Sequence, residues 1–256
     1  MTSILSETNM INIVVPMAGR GSRFVKAGYT LPKPLLPVFG RPMIEVVIEN
    51  LRPKLAHRFI FICQKEHLRL FNLEQALRCA GANTIIVPIE YVTEGAACTV
   101  LLAEQYINSD QPLMIANCDQ YISTSIDTYL EGMEQGNFDG YIMTMTADDP
   151  KWSFIRLKGN VLVTEVLEKK VVSNEATVGI YNYRHGIDFV SAAQAMMAVN
   201  DRTNDEFYVA PAYNYMIASD KRVGYMNIGS DRDGMYGLGV PEDLEYFNAL
   251  SALPKK

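Results

Sequence analysis

A chain of 256 residues, 48% of them hydrophobic and 20% charged, can bury a substantial core in one large α/β domain or two small ones. Its formal net charge of -6 excludes a general nucleic-acid binder, which needs a basic surface, but allows a local basic pocket for a small phosphorylated ligand. No apolar run is long enough to span a bilayer, residues 1–9 read as a loose polar tail, and the cysteines show no C-x-x-C pairing, so a cytoplasmic protein with reduced thiols and no membrane contact is expected.

Residues 11–15 are a short apolar, β-branched run that predicts a buried strand. The segment Met17-Ala18-Gly19-Arg20-Gly21-Ser22-Arg23 follows, and then a proline-flanked lysine, Pro32-Lys33-Pro34. A helix is expected over 42–51 with Pro42 in its first turn, a strand over 59–63 and a helix over 65–80 ended by Gly81. A strand over 84–91, a helix over 96–106 and a strand over 113–116 complete the first half. This alternation predicts an α/β fold with a mixed, mostly parallel sheet flanked by helices, and ligands of such sheets gather beyond the carboxyl ends of the strands. The glycine segment, residues 93–97 and the Asn117-Cys118-Asp119 turn all follow strands and should meet there. The second half is less regular. Strands are expected over 140–146, 153–157, 161–167 and 176–183, with a Gly159-Asn160 turn. Helices over 186–199 and 207–218, a strand over 223–228 and a terminal helix over 241–250 follow.

Gly19 and Gly21 have no Cβ, so the backbone there can turn sharply and approach a ligand closely. Backbone N–H groups beside Arg20, Arg23 and Lys33 suit a polyphosphate. Two glycines alone are equally compatible with an ordinary turn; the lysine at a fixed distance shifts the reading toward phosphate.

These motifs resemble the sugar-phosphate nucleotidylyltransferases, or nucleoside-diphosphate-sugar pyrophosphorylases, from about Ile11 to Phe247. The resemblance is strongest in Ala18-Gly19-Arg20-Gly21-Ser22-Arg23 and Pro32-Lys33. It implies a GT-A-like, Rossmann-like fold and transfer of a nucleotidyl group from an NTP to a phosphate, with Mg²⁺ and release of pyrophosphate. Met17 to Ser22 would bind the nucleotide, with Arg23 and Lys33 on the triphosphate. Asp119, in a turn similar to the family's G-D-[NQ], would hold the metal against the α-phosphate. Thr93-Glu94-Gly95-Ala96-Ala97 is similar to the base-contacting segment. Glu94 there could accept from a base amino group or could sit at a helix start favoured by the dipole. Glu168 and Lys169 would take the acceptor's hydroxyls and phosphate, and Gly179 and Tyr181 would line its pocket. The physical chemistry agrees, because a phosphate attacking another phosphate needs positioning and cations that relieve repulsion. On this reading one domain has a nucleotide half, about 10–125, and an acceptor half, about 126–256.

One position departs from the family. Gly237 stands where a second metal-binding aspartate commonly precedes the last helix, and Asp231 or Asp233 are the candidate replacements. Trp152, Arg156, Asn174, Asn204, Glu206, Tyr208 and Tyr213 are further candidates for the acceptor pocket. The N-terminal wording resembles enzymes of bacterial surface-polysaccharide (capsule) pathways, some of them cytidylyltransferases acting on small non-sugar phosphates; CTP or UTP is the favoured donor and a homo-oligomer stays open. Gly237 also motivates a catalytically silent nucleotide-binding subunit. A GT-A glycosyltransferase fits less well, since Asp119-Gln120-Tyr121 has only the first carboxylate of a D-x-D motif. A dinucleotide dehydrogenase fits least, because its glycine loop opens directly into a helix, whereas here about twenty residues and several prolines are expected to intervene.

Overall fold

The run 11–15 extends into β1 (Ile11–Met17), a strand buried on both sides, in a computed structural model that describes residues 10–159 and 161–254. The tail expected over 1–9 and Asn160 of the expected turn lie outside the described residues. A short helix α1 (Ser22–Lys26), a 3₁₀ turn (Lys33–Leu35), the small strands β2 (Pro37–Val38) and β3 (Arg41–Pro42) and α2 (Met43–Leu51) follow. The first half continues with β4 (His57–Gln64), α3 (Lys65–Phe71), α4 (Leu73–Leu77), β5 (Ile85–Ile89), α5 (Ala96–Leu101), α6 (Glu104–Ile107), β6 (Leu113–Ala116) and β7 (Gln120–Ile122). The second half comprises α7 (Ile126–Gln135), β8 (Gly140–Thr146), β9 (Ser153–Lys158), β10 (Leu162–Glu168), β11 (Glu175–Tyr183), α8 (Gly186–Ala198), α9 (Ala212–Ile217), β12 (Val223–Asp231), β13 (Gly234–Gly237) and α10 (Pro241–Asn248).

Among the described residues, eleven strands form one mixed sheet with the spine β5-β4-β1-β6-β11-β8-β12-β13-β7, and the β9–β10 hairpin pairs beside β11. β5, β4, β1 and β6 run parallel, so their following loops all emerge on one edge. β11 is antiparallel to both β6 and β8 and joins the two halves. Alternate side chains feed two cores, one on each face of the sheet. Ile13, Val15, Phe59 and Phe61 face α2 and α7, while Val14, Ile60, Ile62 and Ile115 belong to the core that includes Phe189 and Tyr213. No helix of the described residues is long and apolar enough to cross a membrane.

The differences from the expected elements have local causes. Contrary to expectation, the glycine loop does open into a helix: Gly21 takes the left-handed conformation as its N-cap and Phe24 buries its inner face. Pro42 caps α2 from outside in an extended conformation instead of lying in its first turn. The helix expected over 65–80 breaks at Asn72, whose left-handed φ of 52° ends one helix and begins the next. The helix over 207–218 shortens to α9, because 203–210 is a turn held against the 94–97 segment. The unforeseen α7 is amphipathic, with Ile126, Tyr129, Leu130 and Met133 buried, and Ser125 accepts from the Asp127 N–H at 3.3 Å. The unforeseen β7 is fixed from α2, where the buried Asn50 side chain donates to Ile122 O at 2.8 Å and accepts from Ile122 N at 2.9 Å. That bond pair clamps the chain just after Asp119.

Candidate active site

The parallel strands deliver three loops to one edge, and two adjoining cavities lie there. The first, about 320 Å³, is walled by Met17, Ala18 and Gly19 after β1, by Lys33, by Thr93, Gly95 and Ala96 before and at the start of α5, and by Asn117, Cys118 and Asp119 after β6. The second, about 200 Å³, is walled by the β9–β10 hairpin and β11 through Trp152, Ser153, Glu168, Thr177, Gly179 and Tyr181, and by Gln120 and Tyr208. Ala96 and Asn117 border both, so the two cavities form one bipartite cleft.

Lys33 and Asp119, 86 residues apart, meet at the first cavity: Lys33 Nζ donates to Asp119 Oδ2 at 2.8 Å. Both side chains are about four-fifths buried. Burial pulls the Lys33 pKa down, but the Asp119 charge, aided by Cys118, more than offsets it and the net shift is upward. Lys33 is therefore a fixed cation at any ordinary pH. The neighbouring Cys118 thiol is pushed up by burial and stays protonated. Gly21 has a φ of 60°, and a Cβ there would lie 3.4 Å from Lys33 Cβ, so the glycine loop passes close beside the lysine. Arg20, Ser22 and Arg23 are exposed on this loop and the first turn of α1 and do not line the cavity wall.

The 93–97 turn is locked from two sides. Thr99 donates its hydroxyl to Gly95 O at 3.1 Å and shares a 2.5 Å contact with the Thr93 hydroxyl. Phe207 N donates to Glu94 O at 2.8 Å, and Ala97 N donates to Phe207 O at 3.0 Å. Gly95 adopts a φ of 133°, and a Cβ there would lie 2.4 Å from Phe207 O, so only glycine lets the two segments meet. The Glu94 carboxylate pairs with Arg202 at 2.5 Å and lies outside the cavity lining, whereas Gly95 and Ala96 line it. Arg202 stacks 4.2 Å from the Phe207 ring.

In the second cavity the Ser153 hydroxyl donates to Glu168, and burial raises the Glu168 pKa. Lys169, held at a φ of 55°, donates to the Tyr208 hydroxyl at 2.7 Å and lies 4.9 Å from that ring, exposed and outside the cavity lining. The Tyr181 and Thr177 hydroxyls share a 3.0 Å contact. Gly179, at a φ of 79°, sits under Asn117 and Gln120; a Cβ would come within 2.2 Å of Asn117 Nδ2 and 2.6 Å of Gln120 Oε1. Gln120 Oε1 is buried without a partner. Trp152 and Tyr208 line this cavity as expected and Glu206 lines the first. Tyr213, by contrast, is fully buried against Tyr183, with its hydroxyl on Asn182 O at 2.8 Å, because it lies on the inward face of α9. Arg156 is spent on Glu165 at 2.9 Å on the outer surface of the hairpin. Asn174 and Asn204 line neither cavity.

Asn117, Gln120, Ser153 and Thr177 are wall residues that the motif reading left out. Asn117 and Gln120 flank Asp119 in sequence, and that adjacency was the available signal. Ser153 and Thr177 carry no local signature.

The segment Gly237-Leu238-Gly239 runs directly against Asp119. Leu238 N donates to Asp119 O at 2.8 Å, and a Cβ on Gly239 would lie 2.6 Å from Asp119 Oδ2. Gly237 pairs with Gln120, so the missing carboxylate of the resemblance falls beside Asp119. The proposed substitutes do not reach it. The ladder continues through Tyr236↔Tyr121 and Met235↔Ile122 to Gly234 O on Ser123 N, which sets Asp233 beyond that point and Asp231 beside Met235. At about 3.3 Å per residue, Asp233 is on the order of 13 Å along the ladder from Gly237. Among the described residues no group of three or more His, Cys, Asp and Glu gathers around a metal position. A single carboxylate suits Mg²⁺, which is bound through one or two carboxylates plus phosphate oxygens and water.

Comparison with known proteins bears on the family and the fold. The family model described as nucleotidyl transferase matches residues 13–230. The crystal structure of the nucleoside-diphosphate-sugar pyrophosphorylase from Vibrio cholerae RC9 is similar at a TM-score of 0.79 and 26% identity, covering 93% of this chain and 100% of that one. A UDP-glucose pyrophosphorylase complexed with UDP-glucose shares the fold at a TM-score of 0.74 and 18% identity, over 93% of this chain and 97% of that one. The bifunctional protein GlmU of Methanococcus maripaludis is 24% identical over 187 residues, 69% of this chain and 41% of the relative. The chain thus spans about two fifths of the length of such curated relatives.

Proposed function

Because the chain belongs to the nucleotidyl transferase family, we propose that it moves a nucleoside monophosphate group from an NTP to a small phosphomonoester such as a sugar phosphate, with Mg²⁺ and release of pyrophosphate. The observation that carries this reading is the bipartite cleft, whose cavities share Ala96 and Asn117 while Lys33 and Asp119 stand on the first side of that wall. A donor in the first cavity and an acceptor in the second meet at the wall.

The acceptor phosphate oxygen attacks the α-phosphorus in line, forming a new P–O bond, and the bond to the β-phosphate breaks to release pyrophosphate. No general base is required, since a phosphate dianion is already a nucleophile. The backbone of residues 18–21 and Arg23 receive the triphosphate, and Lys33 presents its fixed charge where the phosphates converge. Asp119 would hold Mg²⁺ together with phosphate oxygens and water, and the bound ion supplies further neutralisation of the phosphate charge. Gly95 and Ala96 offer backbone to the base and ribose. Glu168, ionised above its raised pKa, accepts from acceptor hydroxyls, and Lys169 turns from Tyr208 to the acceptor phosphate. A role in activating precursors of a surface polysaccharide, in the cytoplasm, follows from the same N-terminal motif.

A second reading, cytidylyl transfer to a small non-sugar phosphate, is favoured by the modest 200 Å³ of the second cavity. The test is a pyrophosphate-release screen of CTP, UTP, GTP and dTTP against sugar-1-phosphates and other phosphomonoesters, with and without Mg²⁺. Release that needs both Mg²⁺ and an acceptor is expected, with CTP or UTP preferred. Saturable NTP binding without release for any pair would mark a silent nucleotide-binding subunit and overturn the proposal.

A further inference from the structure

Two residues border both cavities of the cleft, Ala96 and Asn117, and of the two Asn117 alone brings a polar side chain to the shared wall. The transfer step as written above makes no use of it.

The position of that side chain is built from both directions. Asn117 follows β6 directly, where Ala116 pairs with Ile180 of β11, and its own N–H donates to Gly179 O at 3.0 Å. Two residues further on, Asp119 O accepts from Leu238 N at 2.8 Å, so the turn is pinned on either side. The amide itself lies over Gly179. A Cβ on Gly179 would come within 2.2 Å of Asn117 Nδ2 and 2.8 Å of its Cγ, so the amide occupies the notch left by the missing side chain. Gln120 Oε1 borders the same notch and is itself without a partner, so the two amides are not bonded to each other. The Asn117 amide makes no hydrogen bond to any described residue. It is half-buried at a cavity wall, so a ligand can reach it. Its polar neighbours are already matched, Lys33 with Asp119 and Ser153 with Glu168.

When one phosphate attacks another, negative charge is spread over many oxygens and redistributes as the bonds form and break. Lys33 is shared with Asp119. A neutral amide adds N–H donors that need no particular protonation state. Fixed in advance, it costs no reorganisation at the moment of reaction.

We propose that Asn117 is a further catalytic residue, whose side-chain amide donates to the phosphoryl oxygens at the shared wall as the group passes from donor to acceptor. This role rests on the nucleotidyl transfer reading.

Asn117→Ala and Asn117→Asp are to be compared with the wild type in steady-state pyrophosphate release, with the NTP and phosphomonoester pair that the wild type turns over best. Thermal unfolding checks the fold of each. Asn117→Ala should lower kcat by about 10²–10³, the loss typical of removing one preorganised donor, with both KM values little changed. Asn117→Asp keeps the shape over Gly179 but turns the donor into an anion, so it should be at least as slow. A packing role predicts the reverse order, with the isosteric aspartate near the wild type, and that variant keeps the test readable where Asn117→Ala fails to fold. With an active wild type, three results overturn this role alone: a kcat of Asn117→Ala within about threefold of the wild type, a loss confined to KM, or a near wild-type kcat in Asn117→Asp. Absence of pyrophosphate release by the wild type with every pair overturns the transfer reading itself, and this role with it.

Discussion

The two cavities of the cleft are built by different means. The first is lined at loops that leave parallel strands, where small residues leave the backbone close to it: Ala18 and Gly19 after β1, and Gly95 and Ala96 at the start of α5. Its chemistry is concentrated in the Lys33–Asp119 pair. The second is lined largely by side chains on antiparallel strands, Ser153 from β9 with Trp152 just before it, Glu168 from β10 and Tyr181 from β11. A backbone cradle fits the part that all nucleoside triphosphates share. A side-chain cradle fits one acceptor among many, because each wall residue can differ without moving a strand.

Four sets of variants would break or sharpen that contrast. The largest effect is expected on the backbone-lined side. Lys33→Ala and Asp119→Ala should each lower the rate of pyrophosphate release by about 10²–10⁴, the size of loss typical when a preorganised charge is removed from a transferring group. The double variant should be far from additive, because the two act as one unit. Near wild-type rates in the folded single variants would remove the first cavity from the reaction. Next, Gly239→Ala places a Cβ 2.6 Å from Asp119 Oδ2 and should cost about tenfold or more in turnover by displacing that carboxylate. Gly237→Ala meets only Asp243 Oδ2, at 3.2 Å, and should be nearly silent. Equal effects at both glycines would show that Asp119 is not held by this backbone.

On the side-chain-lined side the effects should fall on the acceptor alone. Glu168→Gln should lower kcat/KM for the acceptor by about ten- to a hundredfold, with NTP affinity unchanged, the cost expected of losing a charged hydrogen bond. Burial raises the Glu168 pKa, so its carboxylate gains acceptor capacity only as pH climbs past that raised value. The acceptor kcat/KM of the wild type should therefore rise with pH through a value above the ordinary glutamate range, and the glutamine variant should lose that limb. The smallest change is Tyr208→Phe, which removes the 2.7 Å bond from Lys169 but keeps the ring; a several-fold rise in acceptor KM is expected, of the order of one hydrogen bond. A larger effect on NTP than on acceptor affinity would assign the 200–208 loop to the donor.

The same contrast explains what could be read without coordinates. Gly21 and Gly95 are required by backbone conformation or close approach, so they leave fixed punctuation in the sequence, as does the proline-flanked Lys33. The strand 113–116 was placed to the residue, since four fully buried apolar residues have few other homes. Ser153 and Thr177 were not legible as site residues because a serine and a threonine have no required spacing. They converge only through the antiparallel pairing of β9 and β11 with their neighbours. The ion pair of Glu94 was not legible for a related reason: its partner, Arg202, lies on a distant turn that local sequence does not connect to it. α7 escaped notice although its apolar positions 126, 129, 130 and 133 have helical spacing, because its flanking signals, Ser125 and Asp127, also suit an ordinary turn.

β11 is the strand where these two ways of building meet. It pairs with β6 and β9 on one side and with β8 on the other, and its register with β8 shifts between Thr177 and Tyr181, around Gly179. On the proposed division of roles, substitutions on the β9–β10 hairpin would alter the recipient of the transferred group while leaving the loops of the first cavity in place. A lineage with this architecture can acquire a new product by revising a single hairpin, and hairpin exchange between relatives is the laboratory counterpart of that history.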